Sequence, residues 1–139
     1  MHISVASPAG AYTISNASFF RCIERLADSG LRFRADEREA LEMLCAIPHA
    51  FFNDDDAMWG RGWRVVPPAT IDDWPVLEST PQRFRAALET ARRILWDNVT
   101  PVGVSAREIV AIEDELDLVF GVLHRAEEAG VPVNISYVD

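Results

Sequence analysis

Residues 105–130 read SAREIVAIEDELDLVFGVLHRAEEAG, and this stretch decides the fold. Ser105 and Glu108 stand three apart, the spacing of a capping box in which the hydroxyl accepts the Glu108 amide and the carboxylate reaches back. Gly130 supplies a left-handed stop at the other end. Between them Ile109, Ile112, Leu116, Val119, Phe120 and Leu123 recur at three-or-four spacing, so they share one helical face. Leu118 and Val122 fall off this stripe, so either the helix is buried on two sides or these residues are exposed for a partner; burial between a sheet and other helices is the expectation. Gly121 interrupts the helix at a propensity cost of about 1 kcal/mol, so something is expected to approach closely there.

Working outward, Val131, Val133, Ile135 and Tyr137 alternate with Pro132, Asn134 and Ser136, the pattern of a half-buried strand. Upstream, 98–103 reads as a turn. Thr80 with Pro81 opens a third helix whose inner stripe is Phe84, Ala87, Leu88, Ala91 and Leu95. Arg85, Glu89 and Arg93 lie four apart on its outer side and can pair. Asp36 and Glu39 suggest a capping-box start for a second helix, with Ala40, Leu41, Leu44 and Cys45 inward and Pro48 closing it. Asn16 is the expected cap of a first helix, Ala17 to Ser29, stopped by Gly30. Two short strands, His2 to Ala6 and Ala11 to Ile14, flank a Ser-Pro-Ala-Gly turn. Between His49 and Ser79 periodicity is lost, although Trp63 to Val66 has the composition of a short strand.

This order predicts one α+β domain over 1–139: a small antiparallel or mixed sheet from the two chain ends, packed against about four helices. The apolar fraction, 49%, excludes disorder by composition. Thirteen cationic residues, all arginine, face twenty-two acidic ones, for a net charge of -9. No lysine is present for Schiff-base chemistry. The acidic balance disfavours nucleic acid and anionic membrane surfaces as partners and favours a basic protein surface. Cys22 and Cys45 sit within apolar helical patterns and read as free buried thiols. No signal-peptide pattern or membrane span is read, so the cytoplasm is the expected compartment.

Chemistry-bearing residues do not assemble into a catalytic signature. Glu113, Asp117 and His124 fall along one side of the long helix beside Asp114, and a solvated face accounts for them better than metal ligation. Asn53-Asp54-Asp55-Asp56 lacks the glycine and terminal glutamate of a calcium loop. No Gly-x-Ser-x-Gly and no glycine-rich phosphate loop occurs, and Gly60 and Gly62 in Trp-Gly-Arg-Gly-Trp mark a turn. No metal, cofactor or catalytic residue is therefore expected. Alternatives are a small metal-dependent or hydrolytic enzyme using His49, Asp54 to Asp56 or His124, or a ligand-binding module with Trp59, Trp63 and Trp74 around an apolar pocket.

Ala11-Tyr12-Thr13-Ile14-Ser15-Asn16-Ala17-Ser18-Phe19-Phe20 resembles the opening of the bacterial immunity protein 70 family, where a strand with Tyr-x-Ile leads into a helix beginning Ala-Ser-Phe-Phe. Trp96-Asp97-Asn98-Val99-Thr100-Pro101 is similar to a second family stretch, Trp-Gly-Asp-Asn-Ile, here without its glycine. The resemblance implies a non-enzymatic protein that binds and neutralises a cognate toxin. Combined with the acidic charge, it directs attention to a partner surface of Asp54, Asp55, Asp56, Trp59, Asp72, Asp73, Trp74, Glu113, Asp114 and Asp117.

Overall fold

The computed structural model describes residues 2–14, 18–50, 62–66 and 76–138. The ends of the chain meet as the alternating patterns require. Strand β1 (His2–Ser7) pairs antiparallel with β2 (Gly10–Ile14) on one side and with β5 (Val133–Val138) on the other. Val5 faces Tyr12 and Ile135 in register, and Ile3 faces Ile14 and Tyr137. Residues directly opposite in a ladder share a face, so Ile3, Val5, Ile14, Val133 and Ile135 line one side, and all are buried.

The middle of the chain extends this sheet. β3 (Arg64–Val66) and β4 (Val76–Ser79) form an antiparallel pair, and β4 lies against β5, with Leu77 opposite Ile135. The order is β2-β1-β5-β4-β3, antiparallel throughout. The fold is α+β, a five-stranded antiparallel sheet packed against five helices among the described residues. The expected sheet of chain ends is thus its first half. β4 was hidden because four residues between loop-like segments carry too little alternation to register as a strand.

Helix α1 (Ser18–Ala27) buries Phe19, Phe20, Cys22, Ile23 and Leu26. Helix α2 (Ala35–Ala50) departs from expectation at both ends. Its start is secured by Glu37, whose carboxylate accepts the Arg34 amide at 2.9 Å, rather than by Asp36 with Glu39. Its other end passes through Pro48 to Ala50. Proline removes one donor from a helix but has a helical φ, and here the preceding turns are anchored by buried Leu44 and Ile47.

Helix α3 (Pro81–Asp97) begins as its cap predicts, the Thr80 hydroxyl accepting the Arg83 amide. A single helical turn, α4 (Val99–Val102), occupies the expected turn and ends at left-handed Gly103. Helix α5 (Ala106–Ala129) carries the complete Ser105–Glu108 capping box and ends at left-handed Gly130. Its inner residues Ile112, Leu116, Val119, Val122, Leu123 and Ala126 pack toward β1, β2, α1 and α3. Each large aliphatic side chain so buried contributes about 1.5–3 kcal/mol.

Charges on α3 bridge helices more than they support α3 itself. Arg85 is 3.9 Å from Glu89 on its own helix but 3.1 Å from Glu127 on α5. Arg93 turns to Glu37 of α2 at 3.5 Å. Cross-helix pairs of this partly exposed kind add register more than stability.

Candidate functional site

The outer side of α5 is the part of the predicted partner surface that the structure describes. Val110 and Leu118, two turns apart, are 62% and 52% exposed, and Asp114 and Asp117 are exposed between them. The two-sided burial expected for this helix holds for Val122, which is buried, and fails for Leu118. On a helical wheel Leu118 sits one step further round than Val122, beyond the reach of the elements covering the inner face.

Gly121 lies at the centre of this outer face. A methyl group built there would meet only the Arg125 guanidinium, at 3.7 Å, among the described residues. No neighbouring helix among the described residues therefore accounts for the missing side chain. Gly10 differs: a side chain there would collide with Arg125 Nε at 2.8 Å, so the β1–β2 turn needs glycine for the arginine to lie against it.

Glu113 occupies a different environment from its acidic neighbours. Arg92 Nη2 donates to one of its oxygens at 2.8 Å and Arg92 Nε to the other at 3.2 Å. The Trp96 indole N–H donates to the same carboxylate at 2.7 Å. This bidentate clamp fastens α5 to the end of α3, and charge-assisted bonds of this geometry are the stronger kind. His124 is exposed and 3.1 Å from Glu128, one turn along. Among the described residues, no group of three or more His, Cys, Asp or Glu side chains could hold a metal ion.

Sequence reasoning did not anticipate a small polar cluster where α1 meets the start of α5. Arg25 Nη2 lies 2.9 Å from both Cys22 Sγ and Glu108 Oε2, and Cys22 Sγ lies 3.6 Å from that oxygen. Burial raises the Cys22 pKa and outweighs the opposing influence of Arg25, so the group is held as a thiol. Glu108 is shifted the other way, chiefly because its carboxylate accepts the Ser105 backbone amide, with Arg25 adding to the effect. The cluster joins two helices, and its thiol lacks the depressed pKa of a nucleophile. A separation of 86 residues between Cys22 and Glu108 leaves no signal for it in local sequence.

Trp63 belongs to the core. It is 4% exposed, donates its indole N–H to the Met43 carbonyl at 2.7 Å, and meets Phe84 edge-on at 5.1 Å. It also borders a cavity of about 340 Å³ that Arg64, Glu78 and Arg83 line. Asp54, Asp55, Asp56, Trp59, Asp72, Asp73 and Trp74 lie outside the described residues, as does the expected cap Asn16.

Among the described residues, no helix is long and apolar enough to cross a membrane. Compared with family models, curated proteins and solved structures, the chain matches none of them.

Proposed function

We propose that this chain is a non-enzymatic immunity protein that binds and neutralises a cognate bacterial toxin, with the outer face of α5 in the contact. The observation that carries this reading is the pairing of Val110 and Leu118, both more than half exposed, with Asp114 and Asp117 on one helical face. Exposed apolar groups beside charge suit an interface in which a few desolvated side chains hold the complex and charge speeds encounter. The net charge of -9 supports a partner with a basic surface.

The residues that resemble the immunity protein 70 family have structural work in this chain. Tyr12 and Ile14 lie on β2, and Phe19 and Phe20 pack edge-on at 5.7 Å in the core. Trp96 holds Glu113, and the Asn98 amide donates to the Ile94 carbonyl at 2.8 Å. Motifs of this kind would mark a shared fold, leaving the toxin contact to surface residues. Asp54 to Asp56, Trp59 and Asp72 to Trp74 belong to the proposal on their composition.

The test is binding to the product of the neighbouring gene, which on this reading is the cognate toxin. Leu118→Arg is expected to weaken the complex by roughly a hundredfold, as for an interface anchor, while the free protein melts like wild type. Wild-type affinity in Leu118→Arg together with Asp114→Asn and Asp117→Asn would remove α5 from the contact. A wild-type chain that neither binds the toxin nor protects cells against it would remove the function.

A further inference from the structure

Val110, Asp114, Leu118, Gly121, Arg125 and Ala129 fall within roughly 100° of one another around α5 and form one stripe along its outer face. All are exposed except Gly121, which is half-buried. The stripe complements its own reverse. About a point between Val119 and Phe120, Val110 stands opposite Ala129, Asp114 opposite Arg125, and Leu118 opposite Gly121. These couples match apolar with apolar, acid with base, and a large side chain with a missing one. They cannot form within one chain, because eleven residues of helix hold Asp114 and Arg125 roughly 16 Å apart. Neither of these two enters an ion pair among the described residues. Arg125 lies against Gly10 of the β1–β2 turn and beside Gly121, so its charge is already placed at the stripe.

We infer that this stripe receives a second copy of the chain, the two α5 helices packing antiparallel about a two-fold axis. Such a contact uses the same patch on both copies, so each couple occurs twice. Leu118 of each copy enters the space over Gly121 of the other, where no side chain keeps the helices apart. A uniformly basic surface would answer Asp114 but repel Arg125, whereas a second copy answers both signs. The net charge of -9 on each copy opposes approach at long range. At physiological salt that repulsion is screened beyond about 8 Å, while the Asp114–Arg125 couples act at contact. A stripe roughly 29 Å long on one helix makes a small interface, so association is of the weak class, on the order of tens of micromolar. The second copy covers the face assigned above to the toxin, so the two exclude each other.

The test is sedimentation velocity of the full chain at about 0.15 M salt, over roughly 5 to 500 µM. The sedimentation coefficient is expected to rise with concentration from monomer toward dimer. Asp114→Arg alone and Arg125→Asp alone should each weaken association by roughly tenfold or more, because both couples become like-charged. Mixing these two variants should restore it, since each copy then carries the charge that the other needs. Asp114→Arg with Arg125→Asp in one chain should restore it as well, because the couples are exchanged. Both positions are exposed, and circular dichroism confirms that each variant is folded. A chain that stays monomeric at every concentration would overturn the inference. So would a dimer that the single reversals leave intact, or one that the mixture or the double reversal fails to restore. No toxin enters the measurement, so this inference and the toxin reading fail separately.

Discussion

Ile112, Leu116, Val119 and Leu123 on the inner side of α5 are sealed by the sheet, α1 and α3, whereas Val110 and Leu118 on the same helix stand in solvent. The acidic residues divide the same way. Glu113 is held by Arg92 and Trp96, while Asp114, its immediate neighbour, is exposed. Residue type alone does not separate the two faces. What separates them is whether another element reaches that side of the helix, and a residue left uncovered is available to a partner without cost to the fold.

The largest effect should come from the covered face. Leu116→Ala is expected to destabilise the protein by about 2–5 kcal/mol, lost transfer energy plus a cavity, read as a lower urea midpoint. A loss comparable to that of a surface substitution would mean that the inner face is not packed as described. Next comes the clamp. Glu113→Ala should cost about 1.5 kcal/mol, because Arg92 and Trp96 lose a charged acceptor, while Asp114→Ala should stay within about 0.5 kcal/mol. Equal costs would erase the distinction drawn between these neighbouring acids.

The start of α5 gives a pH-dependent version of the comparison. The Glu108 carboxyl is held below the usual carboxylate range, so its contribution is present above the unfolded pKa and is lost as pH falls through the folded one. The melting temperature should drop on acidification into and below that range, and Glu108→Gln should flatten part of the drop. Ser105→Ala, which removes the cap, should cost about 1 kcal/mol at neutral pH. A melting curve for Glu108→Gln that falls with acid as steeply as wild type would show that this group does not contribute.

Smaller effects are expected on the uncovered face, and one has the opposite sign. Gly121→Ala should stabilise the free protein by up to about 1 kcal/mol, since the helix gains propensity and, among the described residues, the added methyl meets only Arg125. If a partner approaches closely there, the same change weakens the complex while raising the melting temperature. Smallest of all, Leu118→Ser should alter stability by less than about 0.5 kcal/mol. A loss of several kcal/mol would show that Leu118 is covered after all.

The helix limits most legible in the sequence are those marked by two local signals acting together. Ser105 with Glu108, and Thr80 with Pro81, each satisfy helix ends through contacts three residues apart, and both caps are present. Gly130 is the left-handed cap that stops α5, whereas α1 ends at Ala27, three residues before Gly30 and short of the expected Ser29. Other signals held less well. Asp36 with Glu39 was displaced by Glu37, and Pro48 did not end α2. β4 carries a single buried large side chain, Leu77, and acquires its meaning only against β5.

The sequence by itself determined where the main helices lie, which face of each is apolar, and that the chain ends alternate as strands, because these follow from spacings of two, three and four residues. Tertiary structure decided which exposed-looking residues are engaged and which apolar ones are left out. Arg92 and Trp96 reach Glu113 from 21 and 17 residues away, and Arg25 reaches Glu108 from 83. Whether Leu118 is covered depends on the position of elements far along the chain. Periodicity describes one helix at a time, whereas burial belongs to the surfaces that several elements share.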